Sequence, residues 1–447
     1  MIDFTDKTVG ANQLMKTRPF NLLALGCAGW LLQTVAIAQP EGSRPSFEDH
    51  MRKNVASERE IDVFLNETSW AQFDPDVGYI LGNFLPRDGI AGSSTVSTVQ
   101  SSGARTSFVY KEEPCRINTY GNSFTQCHQV SDGETWQEYL AGHLGEPIRN
   151  FGMGGFGFYQ AYRRMVREEQ TENSAEYVIL YIWGDDHIRS LLRCRYMLIT
   201  SWNRAQDNKE GEGRMFHGNF WSNIEMDLET GRLVERPSRI SDPQDLHLMT
   251  DPDWMWENLK DDLALQMALY SRGMIDDIDQ DKIERLSHHL DHPYEESQDL
   301  PSRGSVAALL DAYSFAATKT ILLKAKAFTE EHGKKLMIAL LDPSRVTRSL
   351  LHGGERYDQE IVDFLEEKRF QVFDMNLVHV EDYKAFNLDP GAYLQRYFIG
   401  HYNPSGNHLF AYALRDRVVD WLEPKPVTYR DTTQKRIDFK GYLPEIK

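Results

Sequence analysis

The chain is predicted to fold as an α/β protein, a three-layer α/β/α sandwich with helices on both sides of a central parallel sheet and one large insertion. Three observations predict it. From residue 116, short apolar runs alternate with amphipathic helical patterns. One run, Tyr-Val-Ile-Leu-Tyr-Ile-Trp at 177–183, is continuously apolar, as a strand covered on both faces must be. After a break between 191 and 304 the alternation resumes, and strands joined through helices in this order pair in parallel.

The elements follow in order. Residues 39–115 are a lead-in: a polar helix near 46–66, then β-branched residues alternating with small polar ones at 92–114, which read as a hairpin or two and show no chemistry. The core domain covers 116–190 and 305–424. It opens with a strand at 116–120, a helix at 134–143, the strand Pro-Ile-Arg-Asn-Phe-Gly (147–152), a helix at 157–170 and the strand at 177–183. It continues with a helix at 305–332, the strand Lys-Leu-Met-Ile-Ala-Leu-Leu-Asp (335–342), a helix at 356–368, the strand Phe-Gln-Val-Phe-Asp-Met (370–375) and a closing helix at about 404–422. The insertion, 191–304, holds a hairpin around Glu229-Thr230-Gly231 and the tryptophans Trp202, Trp221, Trp254 and Trp256. It is expected to fold over the carboxyl edge of the sheet as a lid, the rings offering flat faces to a ligand or else packing in the core. Residues 425–447 form a tail.

With 447 residues, 41% of them hydrophobic, the chain exceeds one ordinary domain and can bury a large core. Its 67 acidic against 49 basic residues leave a net charge of -18, which repels nucleic acid and anionic membrane surfaces and suits a neutral or polyhydroxylated ligand.

The first 38 residues read as a signal peptide: Lys16 and Arg18, an apolar stretch from Phe20 to Ile37, and Ala36-Ile37-Ala38 as a small-x-small cleavage site, with Met15 as an alternative start. A mature chain beginning near Gln39 is expected to be secreted or periplasmic. Cys27 loosely suggests a lipid-attachment site, but the apolar run continues past it. No other stretch reads as long and apolar enough to span a bilayer, so no membrane span is expected after cleavage. Cys115, Cys127 and Cys194 remain, without metal-knuckle spacing, and one disulfide plus a thiol or three buried thiols fit equally.

Parallel strands gather the loops that follow them on one edge, where open α/β sheets bind ligands. Ser123, in Tyr-Gly-Asn-Ser-Phe-Thr, follows the first strand. Gly152 to Gly157 follow the second, Gly184-Asp185-Asp186 the third, and His401 precedes the last helix. Taken singly, Gly121-Asn122 is a turn signal, Ser123 a helix cap, the glycine-rich stretch a flexible turn and His401 a structural histidine. Together, Gly-Asn-Ser-Phe-Thr followed by Asn-Phe-Gly-Met-Gly-Gly-Phe-Gly (150–157) and a late histidine resemble the SGNH, or GDSL-like, hydrolase family, over roughly 116–190 and 305–422.

The resemblance implies a serine esterase or a related acyltransferase that needs no cofactor and no metal. It makes Ser123 the nucleophile and His401 its general base, with the backbone amides of Ser123 and Gly155 forming the oxyanion hole. His408 falls on the closing helix as a surface or packing residue. The sequence departs from the family pattern at three points. Asn122 replaces an aspartate. Asp185, or Gly184 in a slipped frame, stands in the third block where the family has an asparagine that helps hold the oxyanion. Phe398 and Ile399 occupy the positions of the triad aspartate, leaving a Ser-His dyad or an acid from elsewhere, such as Asp185 or Asp186, to orient His401. These departures keep open a catalytically silent member that binds glycan or a partner. Asp185, Asp186 and His187 point in divergent directions as consecutive residues, and His288, His289 and His292 lie in a polar helix, so neither group reads as a metal site. The expected ligand is a short acyl ester, small or carried on carbohydrate.

Overall fold

A computed structural model describes residues 44–67, 69–200, 218–293 and 300–430. The leader and its cleavage site, Trp202 and the end of the tail lie outside the described residues. Nine strands are described: β1 (Ala71–Asp74), β2 (Gly78–Leu81), β3 (Ile117–Tyr120), β4 (Ile148–Asn150), β5 (Tyr177–Ile182), β6 (Asn223–Asp227), β7 (Arg232–Arg236), β8 (Lys335–Leu340) and β9 (Gln371–Asp374). Five form the central sheet in the order β4-β3-β5-β8-β9, every pair parallel. Register runs Ile148 beside Ile117, Ile117 beside Tyr177, and Tyr177 beside Lys335.

The middle strand explains its own composition. Every residue of β5 is buried, because both faces are covered. Val178, Leu180 and Ile182 join a core with Phe158, Met165, Val306 and Ile321, from the helices Phe158–Glu168 and Arg303–Glu331. Tyr177, Ile179 and Tyr181 join a second core with Trp136, Leu140, Phe410 and Leu414, from the helices Trp136–Leu144 and Pro404–Trp421. Alternate side chains of a strand point to opposite faces, so a strand between two helix layers has no polar positions to spare. The fold is the expected α/β/α sandwich with a parallel sheet.

Three expectations change. The helix Arg303–Glu331 is, by length and composition, apolar enough to cross a membrane, although no such stretch was expected after the leader; 56% of its most apolar window is buried inside the protein. The lead-in helix is two helices, Phe47–Lys53 and Glu58–Asn66, the second started by a capping box between Ser57 and Glu60. Lead-in and insertion also share a core with the sheet: Phe47, Met51, Trp70 and Tyr79 cluster with Trp221, Met249 and Met255.

Within the insertion, β6 and β7 form the hairpin turning at Gly231. Among the described residues, Trp221, Trp254 and Trp256 pack against the core, the last two partly buried. Trp221 is fully buried and donates to the Leu192 carbonyl at 2.6 Å. Trp254 sits edge-on to Phe220, and Trp256 edge-on to Phe47. Cys115, Cys127 and Cys194 are free thiols, the last two buried.

Candidate active site

Strand β3 ends at Tyr120, and after Gly121 and Asn122 a short helix, Ser123–Gln126, starts. Asn122 caps it: its side-chain oxygen accepts from the Phe124 amide at 2.7 Å, while its Nδ2 donates to the carboxylate of Asp186 in the loop after β5. Ser123 is the first residue of the helix, where a backbone amide has no intrahelical partner.

His401 arrives from the other end of the chain. The closing helix Pro404–Trp421 is capped by Asn403, and the short turn before it presents the imidazole to the end of β3. Ser123 Oγ lies 2.8 Å from His401 Nε2. Both residues are buried, and the ring packs between Phe124 and His128, with centroids 5.0 and 5.1 Å away. Burial foremost, with His128 and Arg189 adding to it, holds His401 well below the ordinary histidine range.

The glycine-rich loop after β4 leaves one amide over. The amide of Phe151 donates to the Thr119 carbonyl, Gly152 to Asn150 Oδ1, Met153 to the Gly121 carbonyl, Gly154 to Gln126 Oε1, Phe156 to the Met153 carbonyl and Gly157 to Gln160 Oε1. Among the described residues neither the Gly155 amide nor the Ser123 amide has an acceptor. Gly155 has φ 85°, the left-handed region that a side chain disfavours.

In the third loop, a Cβ on Gly184 would lie 2.0 Å from Asp342 Oδ2, so the close packing of this turn requires glycine there. Asp185 is part-exposed and lies 3.5 Å from the Arg189 guanidinium. Burial works to raise its carboxyl, but Arg189, with Arg272, Arg195 and Arg345, outweighs that and keeps it below the usual carboxylate range. Asp186 is fully buried, accepts from the Trp183 amide at 2.9 Å, and is pushed up to about 7 chiefly by burial. Its neighbour His187 points elsewhere, its Nδ1 2.8 Å from Thr318 Oγ1, and burial lowers it to about 4. His408 is exposed on the closing helix beside Tyr139.

Neither Asp185 nor Asp186 meets the outer nitrogen of His401. That place belongs to Gln129, whose Oε1 lies 3.1 Å from Nδ1 and accepts from the His401 backbone amide at 2.8 Å. Sequence reasoning missed Gln129, and no spacing marks it. It missed the residues behind it too. Gln129 Nε2 donates to the Asp88 carbonyl at 3.1 Å, and the Asp88 carboxylate pairs with His128 at 3.0 Å. Arg105 clasps the turn that carries Gln129: Nη1 donates to the carbonyls of Gln126 and Cys127 at 2.6 and 2.7 Å, and Nε to Asp132 at 2.7 Å. Asp88 and Arg105 both come from the lead-in, where no chemistry was read.

No family model matches the chain, and no curated protein matches it significantly. Among solved structures it is similar to a crystal structure of a member of the lipolytic protein G-D-S-L family from Veillonella parvula DSM 2008, at 11% identity and a TM-score of 0.30, over 68% of this chain and 97% of that one.

Proposed function

We propose that the protein is an exported serine esterase that removes short acyl groups from small or carbohydrate esters. The observation that carries the reading is the 2.8 Å contact between Ser123 Oγ and His401 Nε2, made at the carboxyl edge of a parallel sheet whose loops carry the Ser123 and Gly155 amides, neither with an acceptor among the described residues. Ser123 Oγ attacks the acyl carbonyl while its proton passes to His401 Nε2. The carbonyl oxygen, now carrying the negative charge, is held by the amides of Ser123 and Gly155. His401 returns the proton to the departing alkoxide, leaving an acyl-serine and a free alcohol. Water, deprotonated by the same imidazole, then releases the acid. An alcohol acceptor in place of water would turn the second half into acyl transfer, and product analysis with and without added sugar separates the two.

Fluorophosphonate labelling followed by peptide mass mapping tests the serine without a guess about substrate. The adduct is expected on Ser123 and nowhere in Ser123→Ala. A folded wild-type protein that takes no label would refute the esterase reading in favour of a silent binding protein.

A further inference from the structure

We propose that Gln129 is the positioning residue of the Ser123–His401 pair, a neutral carboxamide holding the base in its working tautomer where a carboxylate would ordinarily stand. The inference rests on the esterase reading for its catalytic meaning, but its geometry is independent of it.

The orientation of the carboxamide follows from its two neighbours. The backbone amide of His401 can only donate, so the Gln129 atom 2.8 Å from it is the oxygen. The carbonyl of Asp88 can only accept, so the atom 3.1 Å from it is the nitrogen. The two ends agree, and the flip that usually has to be assigned is decided twice over. His401 Nδ1 then faces an acceptor at 3.1 Å and carries the ring proton. Nε2 is left with its lone pair toward Ser123 Oγ, the arrangement a general base requires.

The backbone is bent to place this residue. Gln129 has φ 73° and Cys127 φ 60°, both in the left-handed region, and strain of this kind persists only where the surroundings impose it. Arg105 imposes it here, through the carbonyls of Gln126, Cys127 and Val130. Gln129 is itself buried, so its polar ends have no water to fall back on.

A carboxamide orients without compensating charge. The imidazole meets Ser123, Phe124, His128 and Gln129, all of them neutral or basic, and Asp88 lies one layer back, paired with His128. The Gln129 nitrogen also serves the Asp88 carbonyl, a bond that a carboxylate at 129 would forgo while keeping its acceptor toward His401.

The test uses the full-length protein with two substitutions. Gln129→Leu keeps bulk and removes the acceptor; Gln129→Glu restores an acceptor and adds charge. With Leu, kcat is expected to fall about 100-fold or more at nearly unchanged KM, since a wrongly protonated imidazole in a triad has cost about 10⁴-fold, and the ¹⁵N spectrum of His401 should lose its pure Nδ1–H signature. With Glu, kcat should return to within about tenfold of wild type, with the acid limb of kcat/KM displaced upward by about one pH unit or more. A fully active Leu variant with an unchanged tautomer would overturn the proposal. So would equal impairment in both variants, the mark of a structural role alone. If Ser123 proves unreactive, the esterase reading fails, yet the His401 spectrum still reports on Gln129.

Discussion

Asp185 lies 3.5 Å from Arg189, and this contact changes what a carboxylate in the third loop means for the site. A bare carboxylate beside a developing oxyanion would repel it. Here a guanidinium stands next to it, stacked 4.9 Å above the Trp183 ring and 3.4 Å from the Phe156 carbonyl, directly after the Gly155 amide.

The pair makes Asp185→Asn informative. The substitution removes one negative charge, leaves Arg189 with Asp186, 3.4 Å from its Nη1, as its remaining acidic partner, and is expected to speed acyl-ester hydrolysis. A gain of about 1 kcal/mol, reasonable for one charge at partly solvated range, corresponds to about fivefold in rate. Steady-state kinetics on a nitrophenyl ester would show it. A slower variant would mean that Asp185 is needed to hold Arg189 in place, and an unchanged rate in an enzyme active through Ser123 would mean that Asp185 faces away.

The depressed His401 governs the pH profile. A general base works only in its neutral form, which prevails above its pKa. Because burial, with His128 and Arg189, lowers that pKa, the acid limb of kcat/KM should lie below the ordinary histidine value of about 6.5, with activity persisting into mildly acidic solution. A limb at or above that value, measured with a substrate that does not itself titrate, would contradict the assignment of His401 as the base.

Arg105 should be expensive to remove. It forms a buried ion pair with Asp132 and supplies donors to three carbonyls of the turn carrying Gln129. Removing one partner of a buried pair typically costs about 3–5 kcal/mol, so Arg105→Met is expected to lower the urea midpoint and turnover together. A variant as stable and as active as wild type would show that the turn holds its shape unaided.

Export is a separate expectation. Bacterial expression should yield a mature chain beginning near Gln39 outside the cytoplasm, read by N-terminal mass spectrometry. An intact Met1 terminus on cytoplasmic protein would exclude it.

The sheet could be read from the residues because each strand announces itself locally. The run at 177–183 is apolar throughout, and β5 is covered on both faces; Lys335–Leu340 and Gln371–Asp374 lie inside their expected strands, although β9, at the sheet edge, fully buries only Phe373. Two short helices after β9, Met375–Tyr383 and Pro390–Gln395, are not legible in the sequence, since their polar and apolar positions follow neither period clearly. The tryptophans of the insertion were ambiguous because a ring that packs in a core and a ring that faces a ligand are the same residue until neighbours are known.

What the sequence determined by itself is the set of loops at one edge of a parallel sheet, with Ser123, Gly155, Asp185 and His401 on them, because strand order and connection length follow from local patterning and handedness. What only the tertiary structure decided is how His401 is held. Gln129 and His401 are 272 residues apart, and Gln129 reaches Asp88 across 41, so no period or motif links them. A hydrogen bond depends on the last ångström and on direction, and those are settled by how the Arg105-clasped turn, the lead-in and the closing helix pack against one another.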